Sequence, residues 1–235
     1  MIDYYFKDAP SAPVSMEIMD ATGKVVRTLS SEAVSRQVTQ AAAPSDNPDE
    51  EAPVGRRGGG PPVRLAKNAG GNRVTWDYND DGGLMLPPGT YSVKLASGNW
   101  SATQPLTLKI DPRLADLKVS AADLREQYDH NVKMRAMVAE VNRVVNTVTQ
   151  ERTRLRDMGS AGADSLAKID AIANKLLDQP VRYGRPGLRT QITYLAGMDT
   201  RADQKVGQDA FTRYAELRKE LDVIEAQIKS LGPKA

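Results

Sequence analysis

Short runs of apolar and β-branched residues alternate with turn signals through the first half of the chain, a pattern typical of β-strands. The predicted strands are Ile2–Phe6, Val14–Met19, Lys24–Leu29, Arg73–Tyr78, Thr90–Leu95, Trp100–Thr103 and Leu106–Ile110. Asp20-Ala21-Thr22-Gly23 marks a hairpin turn between the second and third strands. With no helical pattern between these runs, the first half predicts a small antiparallel β-sandwich in which Trp76 and Tyr91 are the large core residues.

The second half has a different periodicity, with apolar residues at alternating steps of three and four, as in amphipathic helices. We expect the first helix to open at Ser120-Ala121-Ala122-Asp123, which has the form of a capping box, and to end near Met158. Its predicted apolar seam is Met134, Val138, Val141, Val145, Val148 and Leu155. Two shorter helices are expected next, one ending before Pro180 and one near Leu188–Met198.

The last helix is predicted to be capped by Thr200-Arg201-Ala202-Asp203 and to end at Gly232-Pro233. Its apolar seam is Ala210, Tyr214, Leu217, Leu221, Ile224, Ile228 and Leu231. Two long helices flanking two short ones predict an antiparallel three- to four-helix bundle. The seams could instead form a coiled coil with another chain, but we favour packing within the chain because several seams here need burial.

Proline and glycine are concentrated in the first half of the chain. Of 14 prolines, 11 precede residue 114, and 11 of the 18 glycines do so as well. The composition changes at Asp111-Pro112-Arg113, where we place the boundary between a β-sandwich domain, 1–113, and a helical domain, 114–235. The stretch 31–71 can bury little apolar surface, so it is expected to be either a solvated loop or a strap that binds a partner.

Charge and composition exclude several classes of function. Lys+Arg is 32 and Asp+Glu is 30, and the resulting net charge of +2 predicts no nucleic-acid partner. No run is apolar and long enough to predict a transmembrane helix. The chain has no cysteine and a single histidine, His130, which we expect to pack in the bundle or to lie at its surface. We therefore predict no catalytic residues and no cofactor.

Three arginines in the stretch 31–71 are candidate binding residues. Arg56, Arg57 and Arg64 lie beside Gly58-Gly59-Gly60, a composition that resembles arms that contact phosphate or RNA. An acidic run just upstream opposes polyanion binding, and the spacing of a phosphate-binding loop is missing. A flexible spacer is the simpler interpretation of this segment.

Trp100 is the fourth candidate, as a platform for carbohydrate, with Tyr4 or Tyr5 beside it. β-Sandwich domains often present exposed aromatic rings to sugars, so carbohydrate is an alternative ligand to protein. A weak calcium site is also conceivable in the loop that begins at Asp77, whose ligands would be Asp77, Asn79 and Asp81. The position of the bidentate glutamate is taken by Pro88, so a polar turn that hydrogen-bonds its own backbone is the preferred interpretation.

As an ordered set, motifs of the first half resemble the immunoglobulin-like module of flagellar hook-capping proteins. The matching segments are residues 20–29, Val74-Thr75-Trp76-Asp77 and Leu86-Pro87-Pro88-Gly89-Thr90-Tyr91. This resemblance implies that the first domain is an immunoglobulin- or fibronectin-III-like sandwich.

Nearly the whole chain is similar to the C-terminal region of large exported bacterial proteins that begin with a β-propeller. Those propellers carry sialidase-type Asp-box repeats, are related to sortilin-like propellers and are often labelled glycosyl hydrolases. The segments that carry this resemblance are Ile2-Asp3-Tyr4-Tyr5, 71–77, the Pro-Pro-Gly-Thr-Tyr turn, 104–113, 123–129 and 191–197.

This second resemblance implies an exported parent protein, located in the periplasm or outside the cell. The present chain begins without a signal peptide, and we favour its being a fragment of such a parent. We expect a non-catalytic accessory module that packs on or presents the propeller and binds protein partners. Alternatives are the C-terminal part of a glycoside hydrolase whose active site lies upstream, or a stand-alone structural subunit of a larger assembly.

Overall fold

A computed structural model describes residues 1–32, 63–179, 184–198, 200 and 202–231 of the chain. The chain divides into two compact units, Met1–Ala121 and Ala122–Ala235. The sequence places the boundary at Asp111–Arg113, whereas residues 114–121 belong to the first unit. A short 3₁₀ helix, Pro112–Ala115, occupies part of this segment, and the Asp111 side chain caps it by accepting a hydrogen bond from the Arg113 backbone N–H.

The described residues of the first unit form two antiparallel sheets. The strands are β1 (Ile2–Phe6), β2 (Val14–Met19), β3 (Val25–Ser30), β4 (Gly70–Val74), β5 (Gly89–Ser97) and β6 (Trp100–Leu108). β1 pairs with β4 in a two-stranded ribbon, and the second sheet has the order β3-β2-β5-β6. The ribbon therefore joins the beginning of the chain to a strand almost 70 residues later, with Ile2 opposite Val74.

Two of the predicted strands merge into one. The prediction of separate strands at Trp100–Thr103 and Leu106–Ile110 is wrong, because β6 runs without interruption from Trp100 to Leu108. Pro105 stands opposite Ser92 of β5, and β6 is the last strand of its sheet among the described residues. Proline is tolerated there because an edge strand leaves alternate N–H groups unpaired.

The strand predicted at Arg73–Tyr78 begins and ends earlier than expected, since β4 stops at Val74. Tyr78 adopts a φ of +60°, which is incompatible with an extended strand and turns the chain. Trp76 is nevertheless buried as predicted, and its indole N–H donates to the Asn79 carbonyl at 3.0 Å. Tyr91 is buried too, with its hydroxyl donating to the Pro87 carbonyl at 2.8 Å.

Side chains from both sheets meet in one hydrophobic cluster. Its buried members are Phe6, Val14, Met16, Leu29, Leu65, Val74 and Leu95. Phe6 and Val74 come from the ribbon, while Leu65 comes from the segment that leads into β4. The ribbon thus buries one of its faces, as a two-stranded sheet must to be stable in water.

Beyond residue 120 the described part of the chain forms four α-helices and a short 3₁₀ turn at Gly159–Gly162. The helices are α1 (Ala121–Asp157), α2 (Ala163–Leu176), α3 (Leu188–Met198) and α4 (Gln208–Leu231). The predictions for the first three helices are confirmed to within a few residues. None of the described helices is long and apolar enough to cross a membrane.

The predicted start of the last helix is wrong, because α4 begins at Gln208 rather than after Thr200–Asp203. The buried side chain of Gln127 on α1 explains the difference. Its amide N–H donates to the Ala202 carbonyl at 2.7 Å, and its amide oxygen accepts from the Gln204 N–H at 3.3 Å. These backbone groups are therefore bonded to α1 and do not enter a helical ladder. The predicted end at Gly232-Pro233 lies outside the described residues.

The buried seam of α1 differs from the predicted one by a small rotation of the helix. Met137 and Val144 are buried where Val138 and Val145 were expected, and the latter pair is only half-buried. On α4 the predicted Ala210, Leu217, Leu221 and Ile224 are buried, while the predicted Tyr214, Ile228 and Leu231 are half-buried. Side chains from all four helices form one hydrophobic cluster, so these seams pack within the chain.

We expect Leu221→Ala to lower the free energy of unfolding by about 2–5 kcal/mol, because it leaves a cavity among the four helices. Val223→Ala on the same helix changes a half-exposed side chain and should cost less than about 0.5 kcal/mol. Urea denaturation of the full chain, followed by circular dichroism, measures both. Equal losses for the two variants would contradict the packing of α4 described above.

Candidate functional site

The ribbon of β1 and β4 presents one face to solvent. In its register Asp3 lies opposite Arg73, and Tyr5 lies opposite Gly71. Since successive side chains of a strand point to opposite faces, burial of Phe6 and Val74 directs these four residues outward. We call Asp3, Tyr5, Gly71 and Arg73 the ribbon face.

An ion pair forms one end of the ribbon face. Arg73 donates to Asp3 through two bonds, Nε to Oδ1 at 2.6 Å and Nη2 to Oδ2 at 2.9 Å. These hydrogen bonds from Arg73 and its charge hold the pKa of the Asp3 carboxyl below its ordinary value. The same contacts raise the pKa of Arg73. Both groups are therefore charged at neutral pH, and they meet in a bidentate geometry.

An exposed aromatic ring and an open space form the other end. Tyr5 is 69% exposed, and across the ribbon Gly71 has no side chain to cover it. A Cβ placed on Gly71 would find no heavy atom within 4 Å, so the space over Gly71 is open. An open cleft of about 660 Å³ follows this surface, lined by residues 3–5 and 71–73.

Trp100, the predicted carbohydrate platform, does not share a face with Tyr5. Its ring is half-exposed and meets the edge of Phe6, with ring centres 6.4 Å apart. Phe6 in turn meets Tyr4 at 5.7 Å, and the Tyr4 hydroxyl donates to the Ala66 carbonyl at 2.7 Å. Burial raises the pKa of Tyr4. The prediction joined Trp100 to Tyr4 or Tyr5, and the structure places it on the side of Tyr4.

Two of the three predicted calcium ligands, Asp77 and Asn79, hydrogen-bond to each other, and the third, Asp81, has other partners. Asp77 accepts bonds from Asn79, from the backbone N–H at 3.3 Å and from the side-chain amide at 3.0 Å. Asp81 instead accepts from the Thr28 N–H at 3.3 Å and lies 3.6 Å from Arg27. Among the described residues, no three His, Cys, Asp or Glu side chains are grouped as metal ligands would be.

The remaining predicted residues lie apart from the ribbon face. Arg64 is exposed, and its backbone bridges Ser30 at the end of β3. Arg56 and Arg57 lie outside the described residues. His130 is buried in the helical unit, where its ring meets the edges of Phe211 and Tyr214, with centres 4.9 and 5.7 Å apart.

A groove in the helical unit was not predicted from the sequence. It has a volume of about 560 Å³ and lies between the end of α2, the start of α3 and the middle of α4. Leu188 and Ile224 line it as buried side chains, and Val223 is a half-exposed one. Lys175, Arg185, Lys219 and Glu220 also line it. The three basic residues outnumber Glu220, whose carboxylate also lies 4.0 Å from the guanidinium of Arg213. The charge that the groove presents is therefore mainly positive.

Tight contacts at the start of α3 shape the wall of this groove. Asp178 accepts from the Gly187 N–H at 2.6 Å and from the Thr190 hydroxyl at 2.8 Å, which caps the helix. A Cβ on Gly187 would lie 2.6 Å from the Leu176 carbonyl oxygen, so glycine is required there. The Gln191 side-chain amide donates to the Pro186 carbonyl at 2.7 Å and fixes the same turn. Asp178 lies ten residues before the first residue of α3, Leu188. Capping patterns in sequence extend over only a few residues, so they could not identify Asp178 as the capping residue.

Comparisons of the chain with protein-family models, curated proteins and solved structures found no match.

We predict that Arg73→Gln raises the pKa of Asp3 towards its ordinary value, because the lowered pKa comes first from the hydrogen bonds of Arg73. A carboxyl group whose pKa is lower in the folded than in the unfolded protein stabilises the fold at pH values above the unfolded pKa. That contribution is lost as the pH falls through the folded pKa. Carboxyl carbon chemical shifts of Asp3, followed against pH by NMR, measure the change.

Arg64→Gln is the matched control for this titration, since Arg64 is also an exposed arginine of the first unit. It should leave the titration of Asp3 unchanged. An Asp3 midpoint that is the same in Arg73→Gln and in the original chain would contradict the bidentate pair.

Proposed function

We propose that this chain is a non-catalytic interaction module, built as an immunoglobulin- or fibronectin-III-like sandwich followed by an antiparallel three- to four-helix bundle. The sandwich is supported by the single hydrophobic cluster to which both sheets contribute. The bundle is supported by the cluster that side chains of all four described helices share. Sandwich and bundle domains host many functions, so the function is argued from a surface and not from the fold.

The groove in the helical unit is the observation on which the proposal depends. Leu188 and Ile224 form the buried floor of the groove, and the half-exposed Val223 is the apolar side chain that a partner can cover. An apolar centre with a polar, charged rim is the usual anatomy of a protein–protein contact. Lys175, Arg185 and Lys219 complement acidic groups. The expected occupant is a segment of a partner protein with an apolar anchor flanked by Asp or Glu.

The resemblance of the chain to the C-terminal region of exported propeller proteins supplies the proposed setting. In that setting the module packs on or presents a β-propeller domain, in the periplasm or outside the cell. The groove would then receive a segment of the propeller part or of another subunit.

An immunoblot of fractions of the source organism tests the setting separately from the groove. We expect a band well above the 25.6 kDa of this chain in the exported fraction, and a band of that size in the cytosol alone would contradict it.

We predict that Val223→Asp weakens retention of the partner at least about tenfold, because it puts a carboxylate against the apolar anchor and beside the acidic flanks of the partner. The full chain is immobilised, and proteins retained from the exported fraction are quantified by mass spectrometry. Met158→Asp is the matched control, since Met158 is a similarly exposed apolar residue of the same unit. A partner retained equally by the original chain and by both variants would overturn the assignment of the groove.

A further inference from the structure

The ribbon face plays no part in the proposed protein contact, and its charge is internally balanced. Asp3 and Arg73 neutralise each other through two hydrogen bonds, so the surface carries no net charge from this pair. A charged ligand would have to separate the pair or lie against a group of its own sign. A neutral ligand meets neither cost.

The pair keeps unused hydrogen-bonding capacity. A guanidinium has five N–H donors and a carboxylate has about four acceptor positions, and the bidentate contact uses two of each. Both side chains are more than half exposed, so their remaining positions face solvent. A hydroxyl group can donate to Asp3 and accept from Arg73 at the same time, which favours a ligand with several hydroxyls.

Tyr5 and Gly71 favour a ligand that also has an apolar face. The ring of Tyr5 is 69% exposed, and covering it would remove apolar surface from water. Gly71 stands opposite Tyr5 in the register, and the open space over it leaves room for a flat group on this side of the ribbon. Along a strand, Tyr5 and Asp3 are two residues and therefore about 7 Å apart. One ring that has an apolar face and hydroxyls on its rim can span that distance.

We propose that the ribbon face binds a neutral sugar, with one pyranose ring stacked on Tyr5 over Gly71 and its hydroxyls hydrogen-bonded by Asp3 and Arg73. The cleft is open, so the ring can belong to the interior of a longer polysaccharide. The site is distinct from the predicted Trp100 platform, because Trp100 contacts Phe6 on the other side of the ribbon.

The test is a titration of the full, isotope-labelled chain with cellohexaose, chitohexaose, maltohexaose and mannohexaose, followed by NMR. We expect at least one of these sugars to shift the amide signals of residues 3–5 and 71–73, with a dissociation constant of ~1 mM. Because the ligand is neutral, raising the salt concentration should leave this affinity unchanged.

Two variants remove different parts of the site. Tyr5→Ala deletes the stacking ring, while Gly71→Val fills the open space across the ribbon from Tyr5 and leaves Tyr5 in place. Gly71 has an ordinary strand conformation, and valine suits a strand, so the fold should be kept. Each variant should weaken binding at least about tenfold. Tyr194→Ala, which removes a tyrosine of nearly equal exposure (67%) from α3, should leave the affinity unchanged.

The proposal would be overturned by no shift of these amides with any of the four sugars, by equal affinity in Tyr5→Ala, or by a response only to the anionic polymer polygalacturonate. A loss of self-association in Tyr5→Ala without sugar binding would also overturn it, by assigning the face to a contact between copies. Partner retention through Val223 does not depend on Tyr5. The groove and the sugar site therefore succeed or fail in separate experiments.

Discussion

A two-stranded β-ribbon cannot hold itself together in water, and this constraint organises the first unit. The ribbon is stable here because Phe6 and Val74 join the cluster formed with the four-stranded sheet. Because successive side chains of a strand point to opposite faces, burial of Phe6 and Val74 directs Asp3 and Arg73 outward. The surface that we assign to ligand binding is therefore a direct consequence of core packing.

The sequence predicts where strands lie along the chain better than it predicts which strands pair. Period-two alternation and turn residues located the strands, and Trp76 and Tyr91 are buried as expected. The pairing of β1 with β4 depends on tertiary packing over almost 70 residues, and no local pattern contains it. Tyr5 was foreseen as a candidate aromatic, whereas its neighbours Gly71 and Arg73 could not be. Conversely, Trp100 was the obvious choice by residue type, and the structure places it against Phe6.

The helical unit repeats this lesson at a finer scale. Steps of three and four give the apolar side of α1 but not its exact rotation, so Met137 and Val144 replace two predicted positions. The capping pattern at Thr200–Asp203 predicted the wrong start for α4, because Gln127 hydrogen-bonds the backbone there and the helix begins further along the chain. Asp178 caps α3 from a distant position for the same kind of reason. Long-range polar contacts with backbone decide where these helices begin, and those at the start of α3 also shape the wall of the groove.

Pro105 has a consequence for how the protein behaves in a crowded solution. It lies in β6, the edge strand of the four-stranded sheet among the described residues, opposite Ser92 in an unbroken ladder. The N–H that proline lacks is therefore one that would have pointed away from β5, towards any incoming strand. A second chain attempting to extend the sheet would find a donor missing near the middle of the edge. This residue protects the sheet against edge-to-edge aggregation without any cost to its internal pairing.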